Sequence, residues 1–207
     1  MKKLLMVLLT VLMLTTLMGC KEEEKISDNW ADMEFKLAGV KYTYPYFFEH
    51  FSKNGWKLDD EYDLPGGKYT DFNYQMYNEK FYDSQKQAYV VILVDFENYD
   101  AEAKSIKECH IWYLSFCRIL DLGVNLDNVY EIELAKGIKW GSTEAEIVAA
   151  YGQVPADKRV VVAEDGYVAL IYQKTTGDLF TQMVLYIYDD GGLFTVDFEV
   201  YRVHPAS

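Results

Sequence analysis

The region near the C-terminus, residues 158–202, constrains the fold most, because apolar runs there alternate with short glycine-containing turns. The turns are Glu-Asp-Gly at 164–166, Thr-Thr-Gly-Asp at 175–178 and Asp-Asp-Gly-Gly at 189–192. The runs between and around them are 158–163, 167–173, 180–188 and 193–202. Short glycine-containing connections between β-branched and aromatic runs are typical of β-hairpins. The pattern therefore predicts a four-stranded antiparallel meander.

The last of these runs alternates between apolar and polar side chains. An antiparallel sheet that buries one face and exposes the other produces such an alternation. The two sets are Phe194, Val196, Phe198 and Val200 on one face, and Thr195, Asp197, Glu199 and Tyr201 on the other. We therefore expect the first set in the core and the second in water.

Two stretches about a hundred residues apart nearly repeat each other. They are LAGVKYT at 37–43 and LAKGIKWGST at 134–143, which differ by one inserted lysine and a Gly-Ser pair. After the second stretch, Thr143 and Glu146 have the spacing of a capping box, in which a hydroxyl and a carboxylate satisfy the free amides of a helix start. An apolar helical face then follows at Ile147, Val148 and Tyr151, and Gly152 is placed to end the helix.

The first copy carries a similar pattern. Thr43 can cap a helix, Pro45 suits its first turn, and three phenylalanines (Phe47, Phe48 and Phe51) occupy the same offsets as the apolar face of the second copy. Asn54-Gly55 is placed to end that helix. The strands expected after it are 56–62, 69–77, 88–98 and 105–116. The predicted fold class is therefore α+β, with two tandem repeats at 34–122 and 123–207, each a helix packed on an antiparallel four-stranded meander.

The N-terminal sequence predicts a localisation outside the cytoplasm. A basic start is followed by an uncharged apolar run at 4–18, which is shorter than the ~20 residues of a spanning helix and is typical of a signal peptide. The run ends in Leu-Met-Gly-Cys, which resembles a bacterial lipobox. We therefore expect a signal peptide at 1–19, lipidation of Cys20 and a flexible polar tether at 20–33. The alternative is a common secretory signal that happens to contain a cysteine.

Net charge excludes one class of partner. The chain carries −13, and removal of residues 1–19 takes away two lysines and leaves −15. Binding to nucleic acid needs Lys or Arg at each phosphate contact, so we expect no nucleic-acid partner. The acidic residues are spread along the chain, which is typical of a solvated surface and also leaves cationic partners open.

No pattern in the sequence predicts catalysis. The three histidines are scattered, and the chain has no nucleophile elbow, zinc-protease, P-loop or dinucleotide motif. The acids of 189–192 lack the spacing of a calcium loop and favour a hairpin turn. Cys109 and Cys117 would lie roughly 26 Å apart on one continuous strand, so free thiols are favoured over a disulfide, which a turn between them would allow. We expect no enzyme, no metal site and no cofactor.

The segment GSTEAEIVAAYGQVP at 141–155 resembles the G-M-T-x-x-E-V-x-x-x-x-G-x-P segment of the BamE/SmpA-like lipoproteins, with Ser142 where Met is typical. Two such units in tandem resemble the β-lactamase-inhibitor-protein-like fold. Residues 106–111 and 137–141 are also similar to motifs of uncharacterised lipoproteins of Gram-positive bacteria. The resemblance implies a protein-binding or envelope-assembly scaffold without catalytic residues. It favours a Gram-positive cell surface over a Gram-negative periplasm.

An aromatic strip in the first repeat gives the one hint of a binding surface. Alternation along this strand places Phe72, Tyr74 and Met76 on one face and Tyr77 on the other. Tyr side chains are frequent in contact surfaces, so the face predicted to bind a partner comprises Tyr69, Asp71, Asn73, Gln75 and Tyr77. The alternative is that half of these aromatics pack beneath the helices or between the repeats.

These features predict a membrane-anchored extracytoplasmic lipoprotein that acts as a non-catalytic protein-binding or envelope-assembly module. The membrane contact is the lipid on Cys20, and the other partner is a protein or peptide. The alternative function is a small-molecule or glycan receptor that uses the aromatic sheet face.

Overall fold

The computed structural model describes residues 24–70, 74–83, 88–118 and 129–202, and most of them lie in antiparallel strands. The strands before residue 118 are β1 (Glu34–Leu37), β2 (Val40–Thr43), β3 (Tyr46–Phe47), β4 (Trp56–Leu58), β5 (Asp63–Leu64), β6 (Lys68–Tyr69), β7 (Tyr74–Asp83), β8 (Ala88–Asn98), β9 (Lys104–Ser105) and β10 (His110–Cys117). The later strands are β11 (Ile132–Leu134), β12 (Arg159–Val162), β13 (Tyr167–Thr176), β14 (Leu179–Tyr188) and β15 (Gly192–Arg202).

Ten of these strands form one large sheet. Its main path runs β12-β13-β14-β15-β10-β8-β7-β4, with β3 paired to β10 and β6 paired to β8. Two four-stranded meanders therefore meet at their last strands, since β15 pairs antiparallel with β10 from Tyr113↔Glu199 to Cys117↔Thr195. The four strands expected within 158–202 are present, with bounds that differ from the prediction by up to three residues.

The two similar stretches of the sequence lie side by side in a smaller sheet, ordered β11-β1-β2. Strands β1 and β11 pair antiparallel around the central pair Lys36↔Glu133. Each stretch turns back through two consecutive residues with positive φ, which are Ala38 (51°) and Gly39 (79°) in one and Lys136 (56°) and Gly137 (76°) in the other. Two positive φ values in succession are what a tight primed hairpin turn requires.

The core lies between this smaller sheet and the large one. Phe35 of β1 stacks on Phe198 of β15 at 5.3 Å and meets the edge of Phe116 of β10 at 5.0 Å between ring centroids. All three side chains are buried. We call the side of the large sheet that carries Phe116 and Phe198 the inner face, and the opposite side the outer face.

The predicted fold class is wrong, because the described chain is mainly antiparallel β and contains only one helix longer than two turns. That helix, α2 (Glu144–Tyr151), follows the second stretch. The corresponding helix of the first stretch, α1 (Phe48–Ser52), has five residues and no side-chain cap. Thr43, the expected cap, lies in β2 opposite Glu34. Because Tyr46 and Phe47 pair with β10, their backbone groups extend the sheet and leave little chain for a helix.

Helix α2 begins and ends as the sequence predicts and packs on the inner face. Thr143 and Glu146 form the capping box, and Gly152, with φ of 92°, ends the helix. Ile147 is fully buried. The Tyr172 hydroxyl of β13 donates to the Gly152 carbonyl at 2.9 Å, which fixes the end of the helix against the sheet.

One predicted facing in the last strand is wrong. Pairing between β14 and β15 shifts from Tyr186↔Thr195 to Ile187↔Leu193, so Phe194 is an extra residue in a β-bulge. Its ring stacks on Tyr188 at 4.0 Å and lies on the outer face, while Leu193 enters the core. A bulge adds one residue to one strand and reverses the facing of the residues beyond it.

The N-terminal segment packs on the smaller sheet before the expected start of the first repeat. A 3-10 helix spans Trp30–Asp32, the Trp30 ring contacts Tyr172 at 5.7 Å, and Met33 is buried. The Lys41 ammonium donates to the Lys25 carbonyl at 2.9 Å. The folded unit therefore includes residues from within the predicted tether.

Candidate functional site

A continuous row of aromatic side chains crosses the outer face of the large sheet. Trp112 of β10 lies 6.3 Å from Tyr69 of β6 and 6.4 Å from Tyr201 of β15, and Tyr201 lies 4.9 Å from Phe180 of β14, measured between ring centroids. These four residues, which we call the aromatic band, span five adjacent strands because β8 lies between β6 and β10. Tyr69 is 64% exposed, and the other three are half-buried by one another.

A second aromatic group lies at the other end of the outer face. Tyr167, Tyr186, Tyr188 and Phe194 contact one another with centroid separations from 4.0 to 6.3 Å. The bulge at Phe194 creates this group by turning that ring outward. Both ends of the outer face are therefore aromatic.

Carboxyl groups lie between the two aromatic groups. Two neighbouring cross-strand rows, taken from β8 across β10, β15 and β14 to β13, are Asp95–Tyr113–Glu199–Gln182–Gln173 and Leu93–Ser115–Asp197–Val184–Ile171. A fourth carboxyl, Glu97, lies outside these two rows and opposite Tyr69 of the aromatic band. These two rows contain three acidic side chains and no Lys or Arg. Asp95 and Asp197 are buried and Glu199 is half-buried, so the negative charge lies mainly beneath the surface of this part of the outer face.

Asp197 in these rows is only 9% exposed, although the alternation of the sequence predicts that it faces water. Its Oδ1 atom has no hydrogen-bond partner in the part of the chain that the structure describes. Burial raises the pKa of Asp197, and hydrogen bonds from the hydroxyls of Ser115, Tyr186 and Tyr113 only partly oppose that rise. A buried, incompletely solvated carboxylate is costly in the free protein.

The neighbours of Asp197 respond to its charge. Burial and then the Asp197 charge raise the pKa of Tyr113 and of Tyr186, so both keep their protons and can donate. Burial and then Asp197 also raise the pKa of Glu199, which lies two residues further along β15. The charge on the two carboxylates is therefore mutually unfavourable, and a cation placed beside them would relieve it.

The structure places the predicted binding residues as follows. Tyr69 is the most exposed large apolar residue of those described and belongs to the aromatic band. Gln75 is exposed opposite Leu93, and Tyr77 is half-buried opposite Val91. Asp71 and Asn73 lie outside the described residues, as does the lipidation site Cys20.

The predicted core side of the same strand has one fully buried member. Met76 has no exposed surface, and Tyr74 is half-buried against the core with its hydroxyl bonded to that of Tyr62 at 2.5 Å. Phe72 lies outside the described residues. The alternation between Tyr74 and Tyr77 thus follows the predicted facing, and Tyr77 is more buried than a binding role alone would need.

His110 lines a separate cavity of about 370 Å³ beside the β3 edge. Its ring lies among Tyr44, Phe47 and Tyr99 at 5.2 to 5.8 Å between centroids. Both ring nitrogens lack a hydrogen-bond partner among the described residues. Burial, aided by the charge of Arg202, lowers the pKa of His110 to about 4, so the imidazole is neutral near pH 7. The imidazole is therefore packed as a neutral ring among aromatic side chains.

The cysteines, possible metal ligands and possible membrane-spanning helices can also be compared with the predictions from the sequence. Neither Cys109 nor Cys117 forms a disulfide within the described part of the chain, in agreement with the favoured interpretation. Within the described ranges, no group of three or more His, Cys, Asp or Glu side chains has the geometry to hold a metal ion. No helix among those residues has the length and apolar character to cross a membrane.

Comparisons of the chain with protein-family models, with curated proteins and with solved structures find no match.

Most members of the acidic and aromatic outer face were not predicted as site residues. The alternation of residues 194–201 did place Asp197, Glu199 and Tyr201 together on one face, so a usable signal was present. Trp112 and Phe180 could not be added to it, because only the pairing of β10 with β15 and of β15 with β14 brings them beside Tyr201.

Proposed function

We propose that the protein is a lipid-anchored extracytoplasmic module that captures a protein or peptide partner on the outer face of its large sheet and catalyses no reaction. The observation that carries this proposal is the aromatic band, which crosses five strands and leaves Tyr69 64% exposed. Large aromatic side chains at the centre of a contact surface supply much of the binding energy in protein interfaces.

The shape of the outer face favours a macromolecular partner over a small ligand. Small-molecule sites are concave and enclose most of the ligand surface. The aromatic band instead follows the surface of the sheet, with exposed Leu93 (41%) on the same face. A partner that covers the band and the acidic rows together would bury both at once.

The position of the N-terminal segment supports a tethered arrangement. Lys25 and Ser27 contact Lys41 and Glu34 of the smaller sheet, which packs against the inner face. Five residue steps separate Cys20 from Lys25, a reach of at most about 18 Å. Lipidation of Cys20 would therefore hold the inner side near the membrane and direct the outer face away from it, toward partners.

The anchor can be tested directly. Cys20→Ser should abolish incorporation of a fatty-acid analogue during metabolic labelling and shift the protein from the membrane fraction to an uncut precursor or a soluble form. Absence of labelling in the parent protein would remove the anchor from the proposal.

The binding face can be tested by site-specific photocrosslinking in intact cells. A photoreactive amino acid at Tyr69 should give a discrete crosslinked partner. The matched control is the same amino acid at Ala145, an exposed position on α2 at the inner side. Equal crosslinking from both positions, or none from position 69, would contradict binding through the outer face.

A further inference from the structure

The chemistry of the outer face also indicates what kind of segment it accepts. The inference rests on the proposed function, because it concerns the partner of that same face. Its first basis is charge: the central rows hold Asp95, Asp197 and Glu199, with Glu97 beside the aromatic band, and they hold no Lys or Arg. Lys57 of edge strand β4 is paired with Glu79, and Arg202, which follows Tyr201 in β15, is paired with Asp178.

The second basis is Asp197, which is independent of the count of acids. This side chain is nine-tenths buried within the face. The hydroxyls of Ser115, Tyr186 and Tyr113 hydrogen-bond its carboxyl, but its Oδ1 atom has no partner among the described residues. A buried carboxylate with an unsatisfied oxygen destabilises the free protein. Selection for stability alone would favour an apolar residue at this position. A cation docked over the face would compensate this charge from above.

The third basis is the arrangement of rings beside the carboxyl groups. Tyr201 and Glu199 are alternate residues of β15, so their side chains leave the same face about 7 Å apart. Trp112 lies 5.9 Å from Tyr113 and 6.4 Å from Tyr201, which gives three aromatic rings around one carboxylate row. A guanidinium or ammonium group is attracted to aromatic faces and to carboxylates at once, and Trp and Tyr are favourable partners for it.

From these observations we propose that the outer face binds a basic segment of a partner protein, with an Arg or Lys side chain over Trp112 and Tyr201 and next to Glu199. Glu97 and Glu199 are half-buried and can contact the cation. Asp197 contributes its negative charge from beneath the surface. The apolar side chains of the segment cover the rest of the aromatic band.

A pair of synthetic peptides can test this with the purified full-length protein. One alternates arginine with threonine over eight residues, and the other carries citrulline, a neutral isostere, in place of each arginine. Binding is measured by fluorescence anisotropy at 0.15 M salt. We expect the arginine peptide to bind at least ten-fold more tightly than the citrulline peptide, and Glu199→Gln and Asp197→Asn each to weaken it several-fold.

A control is needed to distinguish binding at this site from general electrostatic attraction to an acidic protein. The matched control is the double substitution Glu164→Gln with Asp165→Asn in the exposed turn between β12 and β13, which removes the same number of charges as the two site substitutions combined. It should change affinity less than two-fold. Equal losses for the control pair and the site pair, equal affinity for both peptides, or no measurable binding would overturn the proposal. Glu199→Gln alone decides the matter if Asp197→Asn fails to fold.

Failure of this inference can be told apart from failure of the proposed function. If position 69 crosslinks a partner in cells but the partner still binds after Glu199→Gln, the outer face is a binding surface and the basic segment is wrong. If position 69 crosslinks nothing, the surface itself is wrong.

Discussion

The two faces of the large sheet are built from the same strands and differ in what their side chains do. On the inner face, Phe116 and Phe198 are buried against Phe35 and against each other. On the outer face, their strand neighbours Ser115 and Asp197 pair across the same two strands, and their nearest partners are polar, since Ser115, Tyr113 and Tyr186 hydrogen-bond the Asp197 carboxyl. One face is complete within the chain, and the other presents rings and carboxyl groups to the surroundings.

The inner face mainly stabilises the fold, and the outer face is the one proposed to recognise a partner. Burial of apolar area on the inner face is the main stabilising contribution to an antiparallel fold of this kind. The outer face includes a buried carboxyl group that lowers stability in the free protein. Side chains that cost stability and do not complete a core are frequent at functional surfaces, where their function outweighs the cost. Substitutions on the two faces should therefore have different consequences.

The largest effect is expected from Phe116→Ala on the inner face. The side chain has no exposed surface and contacts Phe35, Tyr130 and Phe198. Its truncation should lower the free energy of unfolding by about 3–5 kcal/mol, the usual cost for a buried Phe. Urea melts measure the loss. Phe116→Leu should retain most of the stability, and an equal loss for both variants would indicate that packing volume is not the cause.

The next largest effect is a change in pH dependence caused by Asp197→Asn. Burial raises the folded-state pKa of Asp197, so the folded protein retains a proton at pH values where the unfolded chain has lost it. This group therefore favours folding at acidic pH, and its contribution is lost as the pH rises through the raised pKa. The slope for one proton is at most about 1.4 kcal/mol per pH unit.

In the Asn variant that slope is absent. Melts at several pH values in an interval that begins near pH 4, about the ordinary pKa of an Asp side chain, should show a wild type that gains stability toward acid relative to the variant. Parallel curves for the two proteins would show that Asp197 does not titrate in this interval.

Some features of the two faces follow from local sequence patterns, and others depend on how distant strands pair. Glycine turns at 164–166 and 175–178 set the meander of β12, β13 and β14, because turn chemistry and alternation are both local. The capping box at Thr143 and Glu146 is equally local and was predicted. The bulge at Phe194 was not, since it depends on how β15 pairs with β14.

The first helix, which is much shorter than predicted, shows the same limit. Three phenylalanines at helical spacing predicted it, but Phe47 is used in pairing with His110. Tertiary pairing overrode a local pattern, which is common for short segments. Likewise, burial of Asp197 requires the hydroxyls of Tyr113 and Ser115 from a strand about eighty residues away, and no local pattern encodes that contact.

A smaller effect, confined to binding, is expected from Tyr69→Ala. The residue is 64% exposed and its ring contacts Trp112 at 6.3 Å, so its removal should change the free energy of unfolding by less than about 0.5 kcal/mol. Capture of the partner crosslinked at position 69 should fall about ten-fold, or about 1.4 kcal/mol. Val161→Ala, at a position 57% exposed on the inner side of edge strand β12, is the control and should leave capture unchanged.

Tyr77→Ala sharpens the same test. Because Tyr77 is half-buried opposite Val91 and Lys57, its truncation should cost more stability than that of Tyr69. If the two variants lose equal stability and equal capture, the exposed Tyr69 and the half-buried Tyr77 do not differ in role.

The smallest effect concerns the capping box of α2, the helix that covers part of the inner face and has no counterpart on the outer one. The Thr143 Oγ1 accepts from the Glu146 amide at 3.3 Å, and Glu146 Oε2 accepts from the Thr143 amide at 2.8 Å. Thr143→Ala should lower the free energy of unfolding by about 1 kcal/mol. Because both groups serve one network, Thr143→Ala combined with Glu146→Ala should cost less than the sum of the single changes.

The control for the capping box is Thr143→Ser, which keeps the hydroxyl and should retain most of the stability that Thr143→Ala loses. Strict additivity in urea melts, or no rescue by serine, would mean that the observed hydrogen bonds do not stabilise the start of α2. Capture by the outer face should be unchanged in all of these variants, because the helix lies on the opposite side of the sheet.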